Sequence, residues 1–256
     1  MTRPPVLAEA NYRDLREHPP NVAVLPWGAT EAHNDHLPFG TDVFEAEGLA
    51  RRAVEQANAS GAKALMLPAI PFGNNAQQLD QIATIHLSTA TALSLLRDIV
   101  RSLKTQGIDR LIIANAHGGN TFKPLVRDLI REEGVFIVVA HVFLLCPDAH
   151  AATFENQGGH ADEMETSVML HLRPDLVKLN QAGKGERVPF VVDGLDLPGV
   201  WTPRPWARCH PDTGSGDPSR ATAEKGEAFS AAVVKALAQL IAGVSNAKPG
   251  DNPIPG

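Results

Sequence analysis

The sequence predicts an α/β fold built on a mostly parallel central sheet, and three observations carry that expectation. Short apolar runs, several rich in β-branched residues, alternate with longer stretches of helical periodicity. The densest polar motifs follow directly on two of those runs. A hydrophobic content of 43% over 256 residues supplies a sizeable core, and no long Ser/Gly-rich linker divides it. Such alternation is the pattern of βαβ units, in which helical crossovers join parallel strands.

Taken in order, strands are expected over 22–26, 64–70, 111–114 and 135–142. The clearest helix covers 88–105, where Leu93, Leu96, Val100 and Leu103 recur at helical spacing and Gly107 offers a stop. A second is expected from about 218 to 242, with Asp217 as its cap. Residues 183–217 are rich in Pro and Gly, hold Trp201 and Trp206 and sustain no period, so they read as an excursion over the surface or the mouth of a site. The whole reads as one domain over 1–246 with a frayed tail, 247–256.

The formal net charge is -6 and the basic residues are scattered, so no positive stripe suits a phosphate backbone or an anionic membrane. Nucleic acid and membrane partners are therefore not expected. Cys146 and Cys209 are too few for a disulfide framework or a cysteine zinc site, which points to a reducing cytoplasm. No apolar stretch of signal-peptide length opens the chain, and no other apolar segment approaches the ~20 residues that span a bilayer.

Chemistry concentrates in three segments. Glu31, His33, His36 and Asp42 crowd the stretch after the first strand. In an extended or turning chain Glu31 and His33 project to the same side, because side-chain direction repeats every second residue. The third strand runs into Asn115-Ala116-His117-Gly118-Gly119-Asn120, placing His117 at a carboxyl edge where open α/β sheets bind ligands. With strands one and three adjacent, Glu31, His33, Asp42 and His117 gather in one crevice. The third segment, 158–170, is a glycine turn opening into a helix on which Val168, Met169 and Leu172 share a face with Glu165. An inward carboxylate demands a partner, and a metal ion suits a site already holding two histidines and two acids. Asp162 and Glu163 read as a solvated face that complements the helix dipole. Singly, a histidine after a strand is most often structural and a glycine pair only a turn; joint placement carries the metal reading.

Segments 28–42, 115–121, 159–167 and 216–226 resemble, in this order, the signature of the creatininase family of three-layer α/β/α metal-dependent amidohydrolases. The resemblance implies that Glu31, Asp42 and His117 hold one divalent ion, that His33 and Glu165 hold a second, that Asp42 bridges them, and that His160 shuttles a proton. Oxygen and imidazole ligands without thiolates suit zinc or manganese, with iron(II) a further candidate, and two ions sharing a carboxylate can trap a hydroxide. His36 reads as a supporting residue. The implied substrate is a small cyclic amide, with formamides and a small modified peptide as alternatives, and the implied assembly is a homo-oligomer, a hexamer.

Two departures stand out. Creatininase proper carries an acid where this chain has Gly119, and tryptophans ahead of the residue matching His160, where 149–159 holds none. A further family segment is altered over 72–78 and 81–84. The metal centre is thus expected intact and the creatinine pocket not. A metal-free phosphate binder using Gly118-Gly119 is the contrasting expectation, but the chain has no G-x-G-x-x-G or P-loop, and that reading leaves Glu31, Asp42 and Glu165 without a cation. An idle structural subunit is at odds with so complete a ligand set.

Overall fold

In the computed structural model, which describes residues 4–156, 158–195 and 197–248, four strands form one parallel sheet. They are β1 (Val22–Trp27), β2 (Ala64–Met66), β3 (Arg110–Asn115) and β4 (Phe136–His141), in the order β2-β1-β3-β4. The helices are α1 (Tyr12–Glu17), α2 (Thr41–Ala59), α3 (Thr89–Thr105), α4 (Lys123–Glu133), α5 (Pro147–Thr153), α6 (Glu163–Leu172), α7 (Trp206–Cys209) and α8 (Ala223–Asn246).

β1 and β3 are buried along their whole length, as strands covered on both faces must be. Val22, Val24, Ile112 and Ala114 join a core with α2, α6 and α8. The alternate residues Ala23, Leu25, Trp27, Leu111 and Ile113 join a second core with α3 and α4. The result is the three-layer α/β/α arrangement that the resemblance implied.

α3 lies where expected, with Ser88 as its cap accepting from the Thr91 amide, and Gly107 behind it takes a φ of +78°. Two boundaries differ. β2 ends at Met66 instead of reaching residue 70; Leu67 still donates to Val24, but Pro68 has no N–H to extend the ladder. α8 starts at Ala223, capped by Thr222, while Asp217 accepts from Ser219 in a turn upstream. At 24 residues α8 is also long and apolar enough to cross a membrane, contrary to the expectation for this chain. Its Phe229, Val233, Leu237 and Ile241 are buried in the core with α2, so it serves as a core helix. Of the expected tail, residues 249–256 lie outside the described residues.

α8 meets α6 at Gly226, where a Cβ would stand 1.9 Å from the Ser167 carbonyl oxygen. Gly226→Ala should therefore destabilise the fold by about 1–3 kcal/mol through forced separation of the two helices. Gly243→Ala on the same helix meets open space and should be neutral or gain up to about 1 kcal/mol from helix propensity. Urea denaturation of both variants checks this, and equal midpoints would show that the α6–α8 contact is not tight.

Candidate metal centre

The site begins where β1 ends. A Cβ on Gly28 would lie 2.6 Å from the Val43 nitrogen, so only glycine lets the start of α2 press against the strand end. That approach delivers Asp42, in the first turn of α2, to the loop after β1. β3 pairs directly with β1, Trp27 opposite Asn115, so the loop bearing His117 lies beside it at the point where strand order reverses. α6 supplies Glu165, and its cap Asp162 accepts from the Met164 and Glu165 amides.

These elements bring all six expected residues, Glu31, His33, Asp42, His117, His160 and Glu165, into one buried cluster. Asp42 Oδ1 lies 2.9 Å from His33 Nε2, and its Oδ2 lies 3.0 Å from His117 Nδ1. Glu31 Oε1 is 3.0 Å from the same His117 nitrogen and 3.7 Å from His160 Nδ1. Glu165 Oε2 stands 3.9 Å from His33 Nε2 and accepts from the amide of Ala161, whose φ of +50° aims it there.

Each imidazole is oriented by a backbone carbonyl on its far side. His33 Nδ1 donates to Glu31 O at 3.0 Å, His117 Nε2 to Asn74 O at 3.2 Å, and His160 Nε2 to Ala32 O at 2.7 Å. A carbonyl only accepts, so the outer nitrogen carries the proton and the other turns toward the cluster, the arrangement seen in ligating histidines.

Candidate ligand atoms fall into three overlapping groups, each within 4.8 Å: Glu31, Asp42 and His117; His33, Asp42 and Glu165; and Glu31, His33 and His160. The first two share Asp42. Glu31 Oε2 and Asp42 Oδ2 find no hydrogen-bond donor in proper geometry although both are buried. Burial pushes the Glu31 and Asp42 carboxyls up, but His117 and His160 facing Glu31, and His33 and His117 facing Asp42, outweigh it and hold both below their ordinary range. For the imidazoles the balance runs the other way. Burial opposes their charge, yet the Asp42 carboxylate lifts His33 to about 10, and Glu31 and Asp42 lift His117 well above its usual value. Burial lowers His160, and His33 adds to that effect; burial raises Glu165 to about 7. The metal-free cluster thus balances its carboxylates with two imidazolium ions. A donor set of oxygens and imidazole nitrogens with orphaned carboxylate atoms fits divalent cations.

Asp162 and Glu163 are not the solvated face expected of them. Both are buried beneath α8, where Glu163 pairs with Lys225 at 2.5 Å and accepts from the Glu155 and Asn156 amides. The excursion over 183–217 does reach the mouth of the site. Trp201, Pro203 and Trp206 line its cavity, and the Trp206 ring meets His160 edge-on at 5.3 Å. His36 bonds Thr166 of α6 at 2.8 Å. Two contributors were not foreseen: the Asn74 carbonyl, and Glu45, buried one turn after Asp42 with both carboxyl oxygens unpartnered. Only Glu45 left a sequence signal, its three-residue spacing from Asp42.

Residues 8–241 match the creatininase family model, described as creatinine amidohydrolase. The mycofactocin precursor peptide peptidase of Mycobacterium tuberculosis (strain CDC 1551 / Oshkosh) is 32% identical over 249 residues, covering 94% of this chain and 93% of its own. Among solved structures, a Bacteroides fragilis NCTC 9343 protein proposed to be a creatinine amidohydrolase superposes with a TM-score of 0.90 at 39% identity, covering 97% of this chain and 99% of that one. A manganese form of creatininase gives 0.78 at 25% identity, covering 95% and 99%.

The electrostatics make a thermodynamic prediction. The facing carboxylates favour protons on His33 and His117 in metal-free protein, and an ion taken up by either ligand group would displace them. Zinc or manganese titrated into metal-free protein should release protons from His33, His117 and the partly protonated Glu165, and apparent affinity should rise with pH. Calorimetry in two buffers of different ionisation enthalpy measures this. Binding without proton release would show that the two imidazoles are not displaced from their charged state.

Proposed function

Because the chain belongs to the creatininase family, we propose that it hydrolyses an amide C–N bond at a pair of divalent ions. In this reading Glu31, Asp42 and His117 hold one ion and His33, Asp42 and Glu165 hold the other. The observation that carries it is the shared carboxylate: two ligand groups, each of two acids and one imidazole, overlap at Asp42 within one buried cluster. When bound, such ions would supply Lewis acidity toward the amide carbonyl and toward water near neutral pH.

The chain's own residues do the rest. Three backbone carbonyls fix the imidazoles at the base of the cavity. His160, its Nε2 tied to Ala32, presents Nδ1 to the cluster, and its lowered pKa suits it to take a proton and pass it to the leaving nitrogen. The cavity over the cluster, about 330 Å³ and lined by Asn74, Gln77, Gln78 and Trp206, admits a small cyclic amide. Its amide-bearing floor also suits a peptide bond, which the name of the mycobacterial relative favours. The exposed apolar side chains Val191, Val192, Leu197 and Trp201 support assembly as a homo-oligomer, and light scattering showing a monomer at micromolar concentration would refute that part.

Elemental analysis after reconstitution should find two ions per chain, a number that follows from the two ligand groups. Asp42→Ala should be the most damaging ligand change, because it strips a ligand from both ions; less than one ion per chain in the parent protein would defeat the two-ion reading. His160→Ala should keep its metal and fold yet lose turnover by ~10²–10⁴-fold. Loss of metal together with turnover would make His160 a ligand with Glu31 and His33, and unimpaired turnover would leave it a structural residue.

A further inference from the structure

A second cavity of about 430 Å³ adjoins the first across the cluster. His117, Gly118, Gly159 and Glu165 line both. The side-chain amides of Asn74, Gln77 and Gln78 line the first, whereas Phe143, Leu144, Pro147 and Met164 give the second an apolar wall.

The glycines between the cavities are of two kinds. A Cβ on Gly119 would strike Asn74 O and His117 Nε2 at 2.5 Å, and one on Gly158 would strike Asp162 Cβ at 2.4 Å, so packing demands both. A Cβ on Gly118 or Gly159 would meet nothing within 4 Å, and neither residue has a positive φ. Neither backbone conformation nor packing requires glycine at 118 or 159. What their missing side chains preserve is open space between the two cavities, beside a ligand candidate for each ion, His117 and Glu165.

We infer that Gly118 and Gly159 frame a passage for an extended, peptide-like amide, with the amine half in the polar cavity and an apolar acyl-side group in the second. The inference rests on the proposed amide hydrolysis. The direction follows from His160, which lines the first cavity alone and so places the leaving nitrogen there. Water's oxygen bonds to the carbonyl carbon, the C–N bond breaks, and its electron pair takes a proton to give a free amine and a carboxylic acid. A small ring would fill the first cavity and leave the second without a role.

The test uses three short amide series with one common leaving amine and a glycyl, leucyl or glutamyl residue on the acyl side. Metal-reconstituted protein should hydrolyse the leucyl series with kcat/KM at least ~10-fold above the other two, in line with burial of an aliphatic group in a matching pocket. Leu144→Asp alters an exposed residue of the second cavity, and Gly159→Val fills the passage; neither disturbs the core, and each should erase the leucyl preference. Calorimetry of the same amides with metal-free protein is the independent readout. Tighter leucyl binding that Leu144→Asp abolishes supports the subsite even where no amide is turned over, in which case the hydrolysis reading alone fails. Turnover and binding indifferent to the acyl group, or hydrolysis confined to small cyclic amides, would overturn the inference and leave hydrolysis standing.

Discussion

The structure is arranged around the burial of Glu31, Asp42, Glu45 and Glu165 close together at the base of a cavity. An uncompensated buried carboxylate costs several kcal/mol, and two ionised carboxyls such as Glu31 and Asp42 cannot relieve one another because both only accept. His33 and His117 answer part of the charge by holding protons. Glu45 answers it differently: burial, reinforced by Glu165 and Asp42, keeps its carboxyl well above the ordinary range and therefore neutral. Divalent cations relieve the rest more completely than protons do, since each neutralises two charges at one point. Asp42 and Glu165 both sit in the first turn of a helix, so the partial positive ends of α2 and α6 also face the acids.

Such a cluster holds its shape only if the elements beneath it cannot slide. Two close approaches lock them: α2 against β1 at Gly28, and α6 against α8 at Gly226. Asp42 and Glu165 thus stand on first helical turns, and Glu31, His33 and His117 stand on the loops that leave β1 and β3, so the packed strands and helices fix where those loops begin and end. The support of the imidazoles is economical in sequence. Glu31 and Ala32 contribute backbone oxygens to orient His33 and His160, so one short segment provides both a ligand candidate and the brace behind two others.

How much of this the sequence discloses depends on the range over which each feature is written. β1, β3 and the capped start of α3 rest on local pattern and match the structure to within a residue or two. The start of α8 does not, because Asp217-Pro218 and Thr222 are both good capping signals and only the Asp217 turn decides between them. Charge misleads in the same way at Glu163, whose partner Lys225 is 62 residues away, so a buried pair looks like a solvated face. Within the site, side-chain identity and spacing gather Glu31, His33, Asp42, His117 and Glu165, whereas His160 enters only through the family resemblance. The brace on His117 is a backbone carbonyl, which every residue has and none advertises.

That brace also explains why two departures from creatininase occur together in this chain. The resemblance places an acidic residue where Gly119 stands, and it marks 72–78 as altered, as if these were separate losses. The geometry couples them. His117 Nε2 donates to Asn74 O, and a Cβ at 119 would overlap both atoms at 2.5 Å. Asn74 is itself fixed from the other side, its amide donating to Asn120 Oδ1 while Asn120 donates to Asn115 at the end of β3. An acid at 119 therefore requires the Asn74 loop to retreat, and the retreat removes the carbonyl that orients His117. In the opposite direction, an Asn74 loop held close removes any side chain from 119, and Asn74, Gln77 and Gln78 line the space above the cluster. The loop that lines the space above the cluster is thus also the one that braces His117 below it.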